Sequence, residues 1–458
     1  MHPTFEDLLS KITQRLSIRP EIVGDVLSRV MVAAPESVPR VDIAEGTMLA
    51  HWSPPLSQAT VSKITKELLE VNLITEEPAR AERPGRPIVP LGLDREHWGV
   101  LGIHVLHRQR HPVGLTGVLV NLRGDVLHTE SVQLAPSDGQ ESVTGLVGKA
   151  AELAEHLIAK SDGREILGLG IEIGGHVHQG MVIESTNAGW SQVAFSVPLS
   201  ERLKMPVVVE NDASALAVWE TYRHRYPERD MALVAVFDEG VGCGLIIDGR
   251  VYRGGHGMAA EIGHVAADFT DPRRQRPPSG PSRPPRFSDP CPCGHYGHVD
   301  ALATPARILG ELGRSDLQEA ADLPAHSQGG KQTAAAQTFE TAGTALGRGL
   351  LALINIINPA RIVLLLPTAL ADAAPETAGR RYLDAVEAAV DQAFSTGPLD
   401  ARAHESALTI HRLEHLDDRA LDQPIEVIGA RGAAITVLDA FIDHARGTWT
   451  RSRLDHGD

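Results

Sequence analysis

A chain of 458 residues, 42% of them hydrophobic, exceeds what one core ordinarily serves and has enough apolar material for two or three domains. Its net charge of −16 excludes a protein that coats nucleic acid over its whole surface, so any DNA contact must be a local patch. Three cysteines make a disulfide framework unlikely, no apolar run reaches the length of a membrane span, and Met1–Asp7 lacks a secretory pattern, which together predict a cytoplasmic protein.

Residues 1–90 read as a DNA-binding module. Ile22, Val23, Val26, Leu27, Val30 and Met31 recur at helical spacing, which predicts an amphipathic helix over Glu21–Ala34. A short second helix fits Val41–Glu45. After Trp52-Ser-Pro-Pro55, Ser57 opens a third helix running to Glu70. There Val61, Ile64 and Leu68 share a core-facing side, while Ala59, Ser62, Lys63 and Lys66 share the other. A small, polar and basic outer face near a helix N-terminus suits a major groove. Leu73–Glu76 and Ile88–Leu91 then read as two strands around a loop carrying Arg80, Arg83 and Arg86, the wing of a winged helix. Arginines on an extended Pro/Gly backbone suit a narrow minor groove. The competing reading is a helical protein-interaction module, because acidic residues slightly outnumber basic ones here. The clustering of bases on helix and wing favours DNA.

Residues 97–226 and 227–458 carry an internal echo. Val100–Val105, Gly117–Asn121 and Asp125–Leu127 read as strands joined by turns, and Met231–Phe237, Cys243–Ile247 and Arg250–Tyr252 repeat that order. Further strands follow in each half, over Ile166–Ile173 and Val207–Glu210 in one and Arg361–Leu366 in the other. A meander followed by alternating helices and strands, occurring twice, predicts two related α/β lobes with a cleft between them. Residues 271–290 are rich in Pro and Arg and 325–337 in Ala, Gln, Ser and Gly, which predicts two loops.

The second half also holds Glu261–His264 and, after the first of these loops, Cys291-Pro-Cys293-Gly-His295-Tyr-Gly-His298. Thiolates and imidazoles at this spacing are what a tetrahedral Zn²⁺ site needs, and a Cys-x-Cys pair supplies two sulfurs from one tight turn. The candidate ligands are His264, Cys291, Cys293 and His298, with His295 as an alternative fourth. All four would come from the protein, so the knuckle spanning 264–300 would be structural. Cys243, in an apolar strand, reads as packing.

Together these residues resemble the ROK family of repressors, open reading frames and kinases, over nearly the whole chain. Leu56–Ser62 is similar to the recognition-helix signature of its repressor branch and Gly85-Arg-Pro87 to its wing-to-linker motif. Asn187–Trp190, Val209–Ala213, Gly257–His264 and Cys291–His298 follow in the expected order. The resemblance implies an N-terminal winged helix-turn-helix followed by a two-lobed actin-like fold of the sugar kinase and ribonuclease H-like type. It makes Ser57, Gln58, Thr60, Ser62, Lys63, Lys66, Arg83 and Arg86 the DNA-contacting set. It likewise implies that Asn187, Asn211, Asp212, Glu261, His264 and Asp300 bind sugar hydroxyls. On residue chemistry alone, Asp212 fits equally well as a helix cap and Glu261 as a first-turn carboxylate.

The departures bear on activity. Where kinases of the family carry an Asp-x-Gly-x-Thr phosphate loop, this chain has His104–Arg110, without the glycines or the carboxylate. The second phosphate stretch survives in part as Asp238–Gly244, and a Gly-Gly expected after Leu366 is Pro367-Thr368. His298 stands where cysteine is usual and Asp300 where glutamate is usual. No catalytic residue is therefore assigned. The expected function is a zinc-containing, homodimeric or homotetrameric transcriptional regulator of carbohydrate metabolism. It would bind an operator in double-stranded DNA and respond to a sugar or sugar-phosphate effector held between the lobes. A sugar kinase with an appended DNA-binding domain, or a ligand-insensitive DNA-binding scaffold, is the alternative.

Overall fold

Thr4 starts the first helix, α1 (Phe5–Thr13), through a capping box: its hydroxyl accepts from the Asp7 amide, and the Asp7 carboxylate accepts from the Thr4 amide, both at 3.0 Å. Apolar spacing alone begins the helices at Glu21 and overlooks this one. The computed structural model describes residues 4–14, 19–34, 36–46, 55–80, 87–108, 111–134, 143–185, 189–224, 230–267, 291, 293–395, 408–413 and 424–447. They fall into two units, Met1–Pro227 with Glu426–Asp458, and Glu228–Ile425. The expected wing arginines Arg83 and Arg86, Asn187, and the 271–290 loop lie outside the described residues.

In the first unit, α2 (Pro20–Ala33) begins with a proline whose missing N–H costs a helix start nothing. It buries Val23, Val26, Leu27 and Val30. Helix α3 (Arg40–Glu45) follows, and the fully buried Arg29 of α2 donates to the carbonyls of Ile43 and Ala44 at its end. Helix α4 (Gln58–Glu70) is capped by Ser57, whose hydroxyl accepts from the Thr60 amide at 3.0 Å. Strands β1 (Ile74–Glu76) and β2 (Leu91–Leu93) then pair antiparallel, with Glu76 opposite Leu91. The second strand thus lies later than the expected Ile88–Leu91, and Ile88 makes only an isolated bridge with Arg80. Pro87 and Pro90 have no N–H to donate, so a continuous ladder begins only past Pro90. The Trp98 indole donates to the Val71 carbonyl at 3.0 Å. Arg123 reaches the Leu93 carbonyl and pairs with Glu77, which fastens this module to the sheet beyond it.

That sheet comprises β3 (Trp98–Arg108), β4 (His111–Asn121), β5 (Val126–Gln133), β6 (Glu165–Ile173) and β10 (Val207–Asn211) in the order β10-β6-β3-β4-β5. The β3-β4-β5 meander is antiparallel, while β6 and β10 add parallel. Helix α5 (Val143–Ala159) covers one face, with Leu153 and Leu157 against Gly117. A small sheet of β7 (His176–His178), β8 (Met181–Ser185) and β9 (Trp190–Ala194) lies in sequence between β6 and β10. Helix α6 (Ser196–Leu203) precedes β10, and α7 (Asp212–His224) follows it directly.

The other face is covered by the C-terminal helix, Ile425–Ala445, which is buried almost all round. Spacing and composition place this segment in the second lobe, but it belongs to the first unit. Gly102 and Gly170, paired across β3 and β6, explain the seat: a Cβ there would collide with the carbonyls of Ala430 and Ala433 respectively.

The second unit repeats the sheet. Strands β11 (Met231–Val236), β12 (Val241–Ile247), β13 (Arg250–Val251), β14 (Arg361–Leu366) and β15 (Leu408–Arg412) run in the order β13-β12-β11-β14-β15. Again an antiparallel meander is extended by parallel strands. Short helices α8 (Val299–Ala303), α9 (Pro305–Leu312) and α10 (Leu317–Ala321) precede α11 (Ala334–Ile357), and α12 (Thr368–Ala371) and α13 (Ala378–Ser395) follow β14. The loop expected over 325–337 ends earlier. The Thr333 hydroxyl accepts from the Ala336 amide at 3.2 Å, and the alanine-rich run that follows is strong helix-forming sequence. No helix among the described residues is long and apolar enough to cross a membrane.

Candidate functional site

On α4 the apolar period buries Val61, Ile64 and Leu68, which leaves Ser57, Gln58, Ser62, Lys63 and Lys66 exposed and Thr60 half-buried. Thr60 is also engaged by the cap, its hydroxyl 2.8 Å from that of Ser57. Lys66 lies 3.8 Å from Glu70 one turn on, so part of its charge is offset locally. Lys63 has no such neighbour among the ion pairs of the described residues, so less of its charge is offset than that of Lys66.

The residues expected to meet hydroxyls are distributed between the units. Asn211 and Asp212 sit at the β10–α7 junction of the first. Asn211, not Asp212, caps α7: its side-chain oxygen accepts from the Ser214 amide at 3.1 Å, and its amide nitrogen donates to the Gly175 carbonyl at 3.0 Å. Asp212 accepts from Asn211 and from the Ala213 amide through Oδ1. In the second unit, Glu261 precedes the 3-10 turn Ile262–His264, and Asp300 lies in the first turn of α8. Asp300 Oδ1 accepts from the Val241 amide at 2.8 Å, and burial raises its pKa against that hydrogen bond.

A feature that sequence reasoning overlooked lies where a phosphate loop would begin. His104 on β3 stands opposite Glu172 on β6, and Nδ1 and Oε1 form a short contact. Glu172 is 2% exposed, and neither its Oε2 nor His104 Nε2 has a hydrogen-bond partner among the described residues. A lone carboxylate inside the apolar run Ile166–Ile173 was the signal, since a buried charge demands a partner. Burial alone would lower the His104 pKa, but the charge and hydrogen bond of Glu172, with Glu426 and Asp212, outweigh it and raise it. His107, half-buried on the same strand, is pushed down to about 4 by burial and by the charge of His104. A raised folded-state value means that the pair stabilises fully below the unfolded value of about 6.5 and loses its contribution as pH climbs through the folded value. The melting-temperature difference between the native chain and Glu172→Gln is therefore expected to be largest in mildly acidic buffer and to shrink as the pH rises beyond about 6.5. A thermal-unfolding series over pH checks this, and a difference that grows with pH would contradict it.

The knuckle residues converge. One ligand atom from each of His264, Cys291, Cys293 and His298 lies within 4.8 Å of all the others. Cys291 Sγ is 3.4 Å from His264 Nδ1, and Cys293 Sγ is 3.3 Å from His298 Nδ1. A tetrahedron built on Zn–S and Zn–N bonds has mixed edges of about 3.5 Å, so the spacing fits one zinc ion. The Gly294 amide donates to the Cys291 carbonyl and the Cys291 amide to the His295 carbonyl, both at 2.7 Å, which closes the turn that presents both sulfurs. Val299 N donates to Val265 O at 3.0 Å and ties the knuckle to the 3-10 turn carrying His264. Burial pushes the Cys291 thiol up to about 12, so a bare thiolate there is costly and a divalent cation would offset the cost. Burial, with His264 and His295, lowers the His298 pKa and favours the neutral, ligating imidazole. His295 stacks on His298 and comes to 3.6 Å of Cys293, but it stands outside the mutually close four.

A profile of the ROK family matches residues 114–390. The chain is 24% identical over 328 residues to the xylose repressor of Caldicellulosiruptor bescii, covering 68% of this chain and 76% of that protein. It is 25% identical over 344 residues to the DNA-binding transcriptional dual regulator NagC of Escherichia coli K12, covering 71% and 76%. Its fold is similar to the crystal structure of a ROK family transcriptional regulator homologous to the E. coli MLC protein. The TM-score is 0.63 at 21% identity, over 93% of this chain and 98% of that one. With a family match over more than half its length and the same sheet built twice, this chain belongs to the ROK family.

Proposed function

We propose that this protein is a transcriptional regulator that binds an operator in double-stranded DNA through α4 and changes its affinity when a sugar-like effector binds. The observation that carries the reading is the face of α4: polar and basic side chains stand exposed over a buried apolar stripe, in a module joined to a ROK body. Such a face can enter a major groove, where Gln58 can read base edges while Lys63 and Lys66 meet phosphates, with Arg83 and Arg86 assigned to the minor groove. Two copies would place two such helices on half-sites about 34 Å apart, hence the assignment of a homodimer or a dimer of dimers.

Asn187, Asn211, Asp212, Glu261, His264 and Asp300 are the candidate hydroxyl partners of the effector. A relative named for xylose repression supports a sugar as the effector class. The four knuckle residues His264, Cys291, Cys293 and His298 are assigned a structural Zn²⁺. We assign no phosphoryl transfer, because the stretch from His104 to Arg110 carries neither the glycines nor the carboxylate of the family's phosphate loop.

The test is selection of binding sites from a random duplex library, followed by titrations of the selected site with and without D-xylose and other pentoses, hexoses and amino sugars. Sequence-selective binding that shifts at least fivefold with one sugar class is expected. Failure to enrich any sequence would sink the operator reading, and identical affinities with every sugar would sink the effector reading. An ADP-release assay over the same sugars separates the kinase.

A further inference from the structure

The C-terminal helix Ile425–Ala445 meets a buried charge pair at one end and the DNA-binding module at the other. Near its start, a Cβ on Gly429 would collide with Glu172 Oε1 and stand 3.1 Å from His104 Nδ1. Near its end, the Phe441 ring meets Phe5 of α1 edge-on at 5.5 Å, with His444 at 6.1 Å from the same ring. Just beyond, Arg446 pairs with Asp25 of α2 at 2.8 Å. A Cβ on Gly24 would stand 2.9 Å from Arg446 Cγ and 3.0 Å from the Ile442 carbonyl, so α2 and this helix are in direct backbone contact. Gly429 and Phe441 lie 12 residues apart on this helix, about 18 Å along its axis.

We propose that this helix is the element that transmits the state of the first-unit sheet to the DNA-binding module, seated at one end on the His104–Glu172 pair and clamped at the other to α1 and α2. The proposal rests on the reading that α4 binds DNA. The seat is poorly explained as a stabilising device. A buried pair whose Oε2 and Nε2 find no further partner among the described residues gains little over an apolar pair of the same size, so its effect is on position. It is also exposed to influence. Glu172 faces His104 from β6, Glu426 from the helix itself and Asp212 from the start of α7, while His107 adds its field from the same strand. Asp212 is one of the candidate effector residues. A ligand that engages its carboxylate alters the field on His104, and Gly429 has no slack against that pair. Helices so tightly packed respond by discrete shifts rather than gradual deformation.

Hydrogen–deuterium exchange of the full chain tests this, comparing the native protein with Gly429→Ala, Glu172→Gln and Arg446→Ala. Gly429→Ala and Glu172→Gln are expected to speed exchange in α1 and α2 at least tenfold, although neither residue touches those helices. Helix α5, on the opposite face of the same sheet, and β11 of the second unit should keep native rates. Arg446→Ala should speed α1 and α2 and leave β3 and β6 unchanged. If the seat variants speed only the C-terminal helix, β3 and β6, the two ends are independent and the proposal fails. If α5 accelerates as well, the effect is general loosening and the proposal also fails. Should Gly429→Ala not fold, Glu172→Gln decides by the same criteria. No DNA is present in this measurement, so failure here is distinct from failure of the operator reading, which the native protein's titration reports.

Discussion

Cys291→Ser is expected to abolish stoichiometric zinc. The native chain should retain about one zinc per chain through dialysis, and the variant should retain none, as measured by elemental analysis of protein purified without added metal. Cys291 is the buried member of the four, 1% exposed, so a hydroxyl there ligates poorly and has no water to satisfy it. The stability effect should be large. Structural zinc contributes about 10–16 kcal/mol to isolated finger peptides, and that figure is an upper bound for a knuckle within a larger folded unit. A fall in melting temperature of many degrees, reproduced by chelating the native protein, is the expected pattern. The fourth ligand is decided by the same assay: His298→Ala should lose the metal and His295→Ala should keep it. Retention in Cys291→Ser would remove the metal assignment.

Lys63→Ala is expected to weaken operator binding and to lower the magnitude of the slope of log K against log salt by about 0.9, the value of one phosphate contact on duplex DNA. Lys66→Ala should give a smaller change, because Glu70 already offsets part of its charge. Gln58→Ala should behave differently, costing about 1–3 kcal/mol on the selected site and almost nothing on unrelated duplex, since a base contact carries specificity and a phosphate contact does not. Fluorescence anisotropy over a salt series separates the two classes. If all three variants bind as the native protein does, α4 is not the DNA-contacting element and the helical interaction module becomes the better reading of this region.

Strands and amphipathic helices were legible wherever a local period set the burial. The meander strands of both halves, the α4 stripe of Val61, Ile64 and Leu68, and the Cys-x-Cys turn each follow from spacing within a dozen residues. So did the repeated order of strands, seen as one sheet topology built twice. The sequence by itself also named the four residues that converge in the knuckle, because so few residue types can hold zinc. It misjudged elements whose signal is a cap or a missing N–H: α1 depends on a Thr4–Asp7 box, β2 begins only past Pro90, and Asn211 rather than Asp212 caps α7. Only the tertiary structure decided the rest. Glu172 in an apolar strand announces that a buried carboxylate needs a partner, but which partner is fixed by the register of β3 on β6, 68 residues away. The last helix is apolar nearly all round and so carries no directional stripe. Its place in the first unit is set by Gly102 and Gly170, whose missing side chains leave room for the Ala430 and Ala433 carbonyls.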